Sequence, residues 1–111
     1  MALSFLHPVQ KLLGASADLH FSASGFSLQA DAFTFCNTSG SDVTVSMWIT
    51  QGGAPSDASL ILINFPVTAG ATKAAFDLRG HVLEDGMQLY AKASVAGVVT
   101  LAVSGRKQVT V

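Results

Sequence analysis

Charge is scarce in this chain of 111 residues: only 12% are charged, against about a quarter in an ordinary globular domain. The six basic residues, Lys11, Lys73, Arg79, Lys92, Arg106 and Lys107, are scattered, and only the last two adjoin. No basic stripe exists to neutralise a phosphate backbone, which argues against nucleic-acid binding. Cysteine is nearly absent. Cys36 stands alone, so no internal disulfide can form. It reads as a small buried hydrophobe rather than a reactive thiol, and fits folding in a reducing compartment. No apolar run approaches the ~18 residues that span a bilayer. The opening Met1-Ala2-Leu3-Ser4-Phe5-Leu6 lacks the basic region of a signal peptide, so synthesis in a cytoplasm is expected.

Residue patterns that carry chemistry are missing too. His7, His20 and His81 lie far apart in sequence, none beside a second ligand at metal spacing, so no metal or other cofactor is expected. There is no Gly-x-Ser-x-Gly elbow. The acidic residues are singletons except Glu84-Asp85, which precedes Gly86 and reads as a solvated turn rather than an acid–base pair. Gly52-Gly53 lacks the lysine and following helix of a phosphate loop. Asn37-Thr38-Ser39 matches a glycosylation sequon, which matters only on a eukaryotic secretory route. No enzymatic activity is expected. A hydrolase would need a pocket with paired acids that the sequence does not show.

Half of the residues are hydrophobic. With so few charges, neutral or apolar surface must face outward somewhere, which favours a life inside an assembly. From Asp18 onward the hydrophobic period is two. Val43, Val45, Met47 and Ile49 alternate with Thr44, Ser46, Trp48 and Thr50, and Met87, Leu89, Ala91, Ala93 and Val95 with Gln88, Tyr90, Lys92 and Ser94. Turn clusters separate such segments: Asn37–Asp42, Gln51–Asp57, Thr68–Thr72, Glu84–Gly86 and Ala96-Gly97. In the stretch 30–36, Ala30, Ala32, Thr34 and Cys36 alternate with Asp31, Phe33 and Phe35. Hairpins are expected at 33–50 and 87–104. Leu60 to Phe65, apolar except for Asn64, suits a strand covered on both faces, with Pro66 ending it or marking an edge. Gly105 is expected to interrupt the last strand.

The pattern predicts an all-β fold: a two-sheet antiparallel sandwich or jelly roll of seven or eight strands over residues 18–111, preceded by an arm at 1–17. In the arm, Phe5, Leu6, Val9, Leu12 and Leu13 have helical spacing, which predicts a short helix over 8–13 with Pro8 in its first turn. The arm either packs on its own domain or docks on a neighbouring subunit. Trp48 falls on the polar-looking face of its strand, where it serves inter-sheet packing, an interface or a sugar platform.

Three segments carry a family likeness: Cys36-Asn37-Thr38-Ser39-Gly40-Ser41-Asp42-Val43-Thr44-Val45 followed by a Gly/Pro loop and Val67-Thr68-Ala69-Gly70; Val82-Leu83-Glu84-Asp85-Gly86-Met87-Gln88-Leu89-Tyr90-Ala91; and Val99-Thr100-Leu101-Ala102-Val103-Ser104-Gly105. Together they resemble small β-sandwich virion proteins of tailed bacteriophages, most of all the capsid decoration (cement) proteins of Epsilon15-like short-tailed phages. The likeness covers residues ~30–105 and leaves out the arm. It implies a structural virion protein on the capsid exterior that clamps neighbouring major capsid subunits, with self-association as a dimer on the lattice and no catalytic residues. It implies no nucleic-acid or membrane partner. The alternative is a tail, neck or fibre component with a glycan-binding role. On the clamp reading, the expected partner contacts are Phe5, Leu6, Val9, Leu12, Leu13, Trp48, Val109 and Val111, the last two by adding a strand to a partner's sheet edge.

Overall fold

In the computed structural model, residues 3–75, 78 and 80–109 are described, with the backbone alone for 3–9 and 109. Their strands are β1 (Leu3–Leu12), β2 (Asp18–Ser22), β3 (Phe26–Asn37), β4 (Val43–Thr50), β5 (Leu60–Val67), β6 (Thr72–Ala74), β7 (Val82–Leu83), β8 (Gln88–Ala93) and β9 (Val99–Val109). A 3-10 turn at Asp57–Ser59 leads into β5. The fold is all-β, with two antiparallel sheets packed as a sandwich. One runs β1-β9-β3-β6, with β7 also on β3, and the other runs β2-β8-β4-β5. The pairing is nested: β1 with β9, β2 with β8, β3 with β6 and β7, β4 with β5. The ribbon then closes on itself where β9 pairs β3 and β8 pairs β4.

Alternation fills the core. Val43, Val45 and Met47 of β4, Leu89, Ala91 and Ala93 of β8, and Val99, Leu101 and Val103 of β9 are all buried. Phe33 and Phe35 of β3 complete it, with Phe65 tilted against Phe35 at 5.6 Å between ring centroids. The accessible surface is 5883 Å², close to the roughly 5,800 Å² of a folded monomer of this mass.

Four expectations are corrected. The first concerns the arm: residues 8–13 form no helix, and β1 is instead a strand on the edge of the five-stranded sheet. Its ladder with β9 is interrupted between Leu6 and Val9, at His7 and Pro8. Proline has no N–H to give a ladder, so a bulge is where it fits. The bulge also resets the period of two. Leu6 and Val9, three apart, pair Gly105 and Val103, successive inward positions of β9. That reset is what imitates helical spacing.

Second, 33–50 and 87–104 are not hairpins. β3 and β4 belong to different sheets, as do β8 and β9. Each turn carries the chain across the ~10 Å between sheets. A turn between two alternating strands has the same sequence signature whether it reverses the chain within a sheet or crosses to the other. Asn37 pins the first crossing. It is 1% exposed, and its Nδ2 donates to the carbonyls of Ser41 (2.8 Å) and Val67 (3.0 Å) while its Oδ1 accepts from the Ser39 amide (3.0 Å). The sequon asparagine is thus a structural side chain with its amide already engaged.

Third, the apolar run 60–65 lies in an edge strand. β5 pairs only with β4, and Ile63 is 65% exposed. Asn64 has a positive φ of 49°, and its amide donates to the Ser46 hydroxyl at 3.1 Å. This irregularity and the exposed Pro66 blunt the edge.

Fourth, Gly105 does not break β9, which runs on to Val109. A Cβ at Gly105 would collide with the Gln29 carbonyl oxygen and press on Ala30 Cα. The glycine permits close approach to the β3 bulge between Ala30 and Ala32. That bulge switches faces, so Leu28 and Ala30 point inward before it and Phe33 and Phe35 after it.

Candidate interaction surface

Inward positions are spent on the core, so whatever the protein does by contact falls on the outward positions of two sheets. On the five-stranded sheet these are small or polar. β3 presents Ser27, Gln29 and Asp31, then Thr34 and Cys36, and β9 presents Thr100, Ala102, Ser104, Arg106 and Gln108. Arg106 Nη2 lies 3.3 Å from Asp31 Oδ1, with both side chains nearly half exposed. A shallow cleft of about 220 Å³ runs between Ser27, Gln29, Val82, Arg106 and Gln108. Among the described side chains the apolar exceptions are Leu12 and Val82, at the margins; β1 also sets Phe5, whose side chain lies outside the described residues, opposite the outward Arg106.

The four-stranded sheet differs. Its register places Leu19 opposite Tyr90, Tyr90 opposite Trp48 and Trp48 opposite Leu60. Strand alternation makes Tyr90 and Trp48 outward positions, because their neighbours Leu89, Ala91 and Met47 point into the core; Leu60 comes opposite Trp48 across a bulge in the β4–β5 ladder, and Ile61 and Leu62 rather than Leu60 pack on the core. One apolar side chain from each of β2, β8, β4 and β5 therefore forms a row across the whole sheet. Leu19 is 40% exposed, and Tyr90, Trp48 and Leu60 are half-buried by one another. Ile63 extends the row along β5. Lys92 Nζ stands 6.0 Å from the Trp48 ring centroid, and the Tyr90 hydroxyl donates to Gln88 Oε1 at 3.4 Å.

The expected contacts separate against this geometry. Trp48 is central to the row. Leu12 is 56% exposed, whereas Leu13 is 3% exposed and belongs to the core, which removes it from the surface. The side chains of Phe5, Leu6, Val9 and Val109 and the whole of Val111 lie outside the described residues. The backbone of β9 is paired to β1 as far as Gln108 and to β3 as far as Val109, and the segment beyond, expected to add a strand to a partner's sheet, lies outside the described residues. Leu19 and Leu60 were not singled out in the sequence as contacts. Their juxtaposition depends on which strands neighbour which, and alternation within one strand does not encode that.

Among the other hollows, a small one of about 20 Å³ is lined by Lys11, Asp18 and His20 among others. An open one of about 430 Å³ lies along 49–59, lined by Thr50, Gln51, Ser56 and Ser59 among others, with no titratable group. Another, of about 290 Å³, includes Glu84 and Asp85. There the Asp85 carboxylate accepts the Gly25 amide at 2.9 Å, a loop-to-loop tie. Among the described residues, no three His, Cys, Asp or Glu side chains are grouped to hold a metal ion. No helix among them is long and apolar enough to cross a membrane.

Comparison with protein-family models, with curated proteins and with solved structures returned no match.

Proposed function

We propose that this chain is a structural virion protein, a non-enzymatic capsid decoration (cement) protein that stabilises an assembled phage shell by binding across neighbouring major capsid subunits. The observation that carries this reading is the apolar row across one outer face of a charge-poor sandwich. Such a surface is suited to contact with protein. The nested strand order supports it: we read it as a jelly roll, an architecture that capsid domains use, although a fold alone does not carry function. The likeness of segments 36–45, 82–91 and 99–105 to decoration proteins supplies the specific class.

A cement protein acts by mass action. It binds the closed lattice better than free subunits and so draws the equilibrium toward the closed shell. Many weak contacts repeated over a lattice, with dimer self-association among them, give strong retention. The test is fractionation of the cells that produce the chain. It should sediment with particles at hundreds of copies each. Recovery in the unsedimented fraction contradicts the virion reading, and a handful of copies per particle points to tail or neck.

One observation favours a second reading, a tail, neck or fibre component that binds glycans: Trp48 and Tyr90 are aromatic neighbours on one outer face. Against it, the Lys92 ammonium already sits over the indole that a sugar ring would stack on.

A further inference from the structure

Resting on the decoration reading, we infer which face meets the shell and what chemistry the shell presents: the outer face of the β2-β8-β4-β5 sheet docks on an apolar patch of a different protein that carries a carboxylate opposite Lys92. Three observations lead there.

The row Leu19–Tyr90–Trp48–Leu60 is continuous from one edge of the sheet to the other. The facing sheet's outer surface has no equivalent among its described residues. Four strands at a spacing of ~4.8 Å make the row about 14 Å long, and with Ile63 the patch is on the order of 300 Å². A stable two-body interface needs about 800 Å² from each partner. The patch is thus too small to hold a free dimer, and is suited to one of several simultaneous contacts on a lattice.

The charge of the face identifies the partner's chemistry. The strands of this sheet carry two charges: Asp18, exposed at the sheet's end but at an inward register position opposite Ala91, and Lys92, which faces outward; no described carboxylate lies within ion-pair distance of the Lys92 Nζ. In the free protein, water and the Trp48 ring solvate the ammonium. A partner that covers the row strips the water, so it must return a carboxylate or leave a buried charge unpaired. A second copy of the same face cannot do so: it would bring another lysine into the same desolvated patch and no carboxylate.

The test uses the full chain and shells purified from a host lacking its gene. Wild type and variants are titrated onto shells and bound protein is measured by sedimentation. Trp48→Ala should weaken binding about thirtyfold, as for a central aromatic anchor. Lys92→Gln should weaken it about tenfold and flatten its salt dependence, and Lys92→Glu should weaken it further. Leu12→Ser, on the other sheet, should bind as wild type. Lys92 is exposed, so its variants remain informative if Trp48→Ala fails to melt cooperatively.

If wild type does not bind shells, the decoration reading itself falls. Should wild type bind while the Trp48 and Lys92 variants bind equally well, the decoration reading stands and this inference is overturned. A solution dimer that Trp48→Ala abolishes with shell binding intact, or competition by soluble oligosaccharide at millimolar concentration, also overturns it.

Discussion

The two sheets of this sandwich divide its work. The five-stranded sheet faces inward with Phe33, Phe35, Val99, Leu101 and Val103, and its described side chains face outward mostly as serine, threonine, glutamine and one exposed ion pair, with Leu12 and Val82 at the margins. It also contains the positions where the backbone tolerates least change, the β3 bulge and Gly105 beneath it. The four-stranded sheet contributes as fully to the core, yet its outer face repeats the chemistry of an interior: leucine, tyrosine, tryptophan, leucine. Interior chemistry on an exterior surface brings a folding protein little stability beyond its cross-strand contacts and adds a liability to aggregation. On the proposed function, both sheets hold the protein together and the outer face of the four-stranded one makes its contacts.

Substitutions can break or sharpen this division. The largest effect is expected at Gly105→Val, where the new side chain meets the Gln29 carbonyl and β9 and β3 must part. The loss is on the order of 4 kcal/mol or more, read as a collapse of the urea midpoint. Phe33→Ala, in the same sheet and fully buried, should cost about 3–5 kcal/mol by chemical denaturation. Asn37→Ala leaves the Val67 and Ser41 carbonyls without their donor at the inter-sheet crossing. It should cost about 2 kcal/mol, seen as a lower midpoint at unchanged slope.

The outer faces should respond in the opposite sense. Leu60→Ser should change unfolding stability by less than about 1 kcal/mol, since Leu60 is not packed against the core, while it weakens association with particles. A loss of several kcal/mol there would show that the row is part of the fold and erase the distinction. Smallest of all, Arg106→Ala removes a solvent-exposed ion pair on the polar face. It should shift stability by no more than about 0.5 kcal/mol and leave particle binding unaltered.

The alternation of Val43, Val45 and Met47 and of Leu89, Ala91 and Ala93 was enough to predict the sandwich, because a strand with one buried face writes its period into the sequence. What alternation does not write is neighbourhood. Hairpin and inter-sheet crossing share one signature, so β3–β4 and β8–β9 were paired wrongly. Bulges write a misleading period: one at His7-Pro8 made a strand resemble a helix, and the one between Ala30 and Ala32 hid that Ala30 and Phe33 share the core. The candidate surface was legible at Trp48 and Tyr90, the two aromatics on polar-looking faces of their strands. Leu19 and Leu60 look like ordinary strand residues until the order β2-β8-β4-β5 sets them in line.

Each sheet carries a native reporter on its outer face: Cys36, the single cysteine, half-exposed on the five-stranded sheet rather than buried as its sequence suggests, and Trp48, the single tryptophan, on the four-stranded one. The most direct test of the division is to compare both, by mass spectrometry, in the free protein and in the protein bound to shells, after hydroxyl-radical oxidation of Trp48 and alkylation of Cys36. The account predicts that Trp48 is protected on the particle while Cys36 reacts at its free rate. Protection of Cys36 with Trp48 unchanged would contradict it.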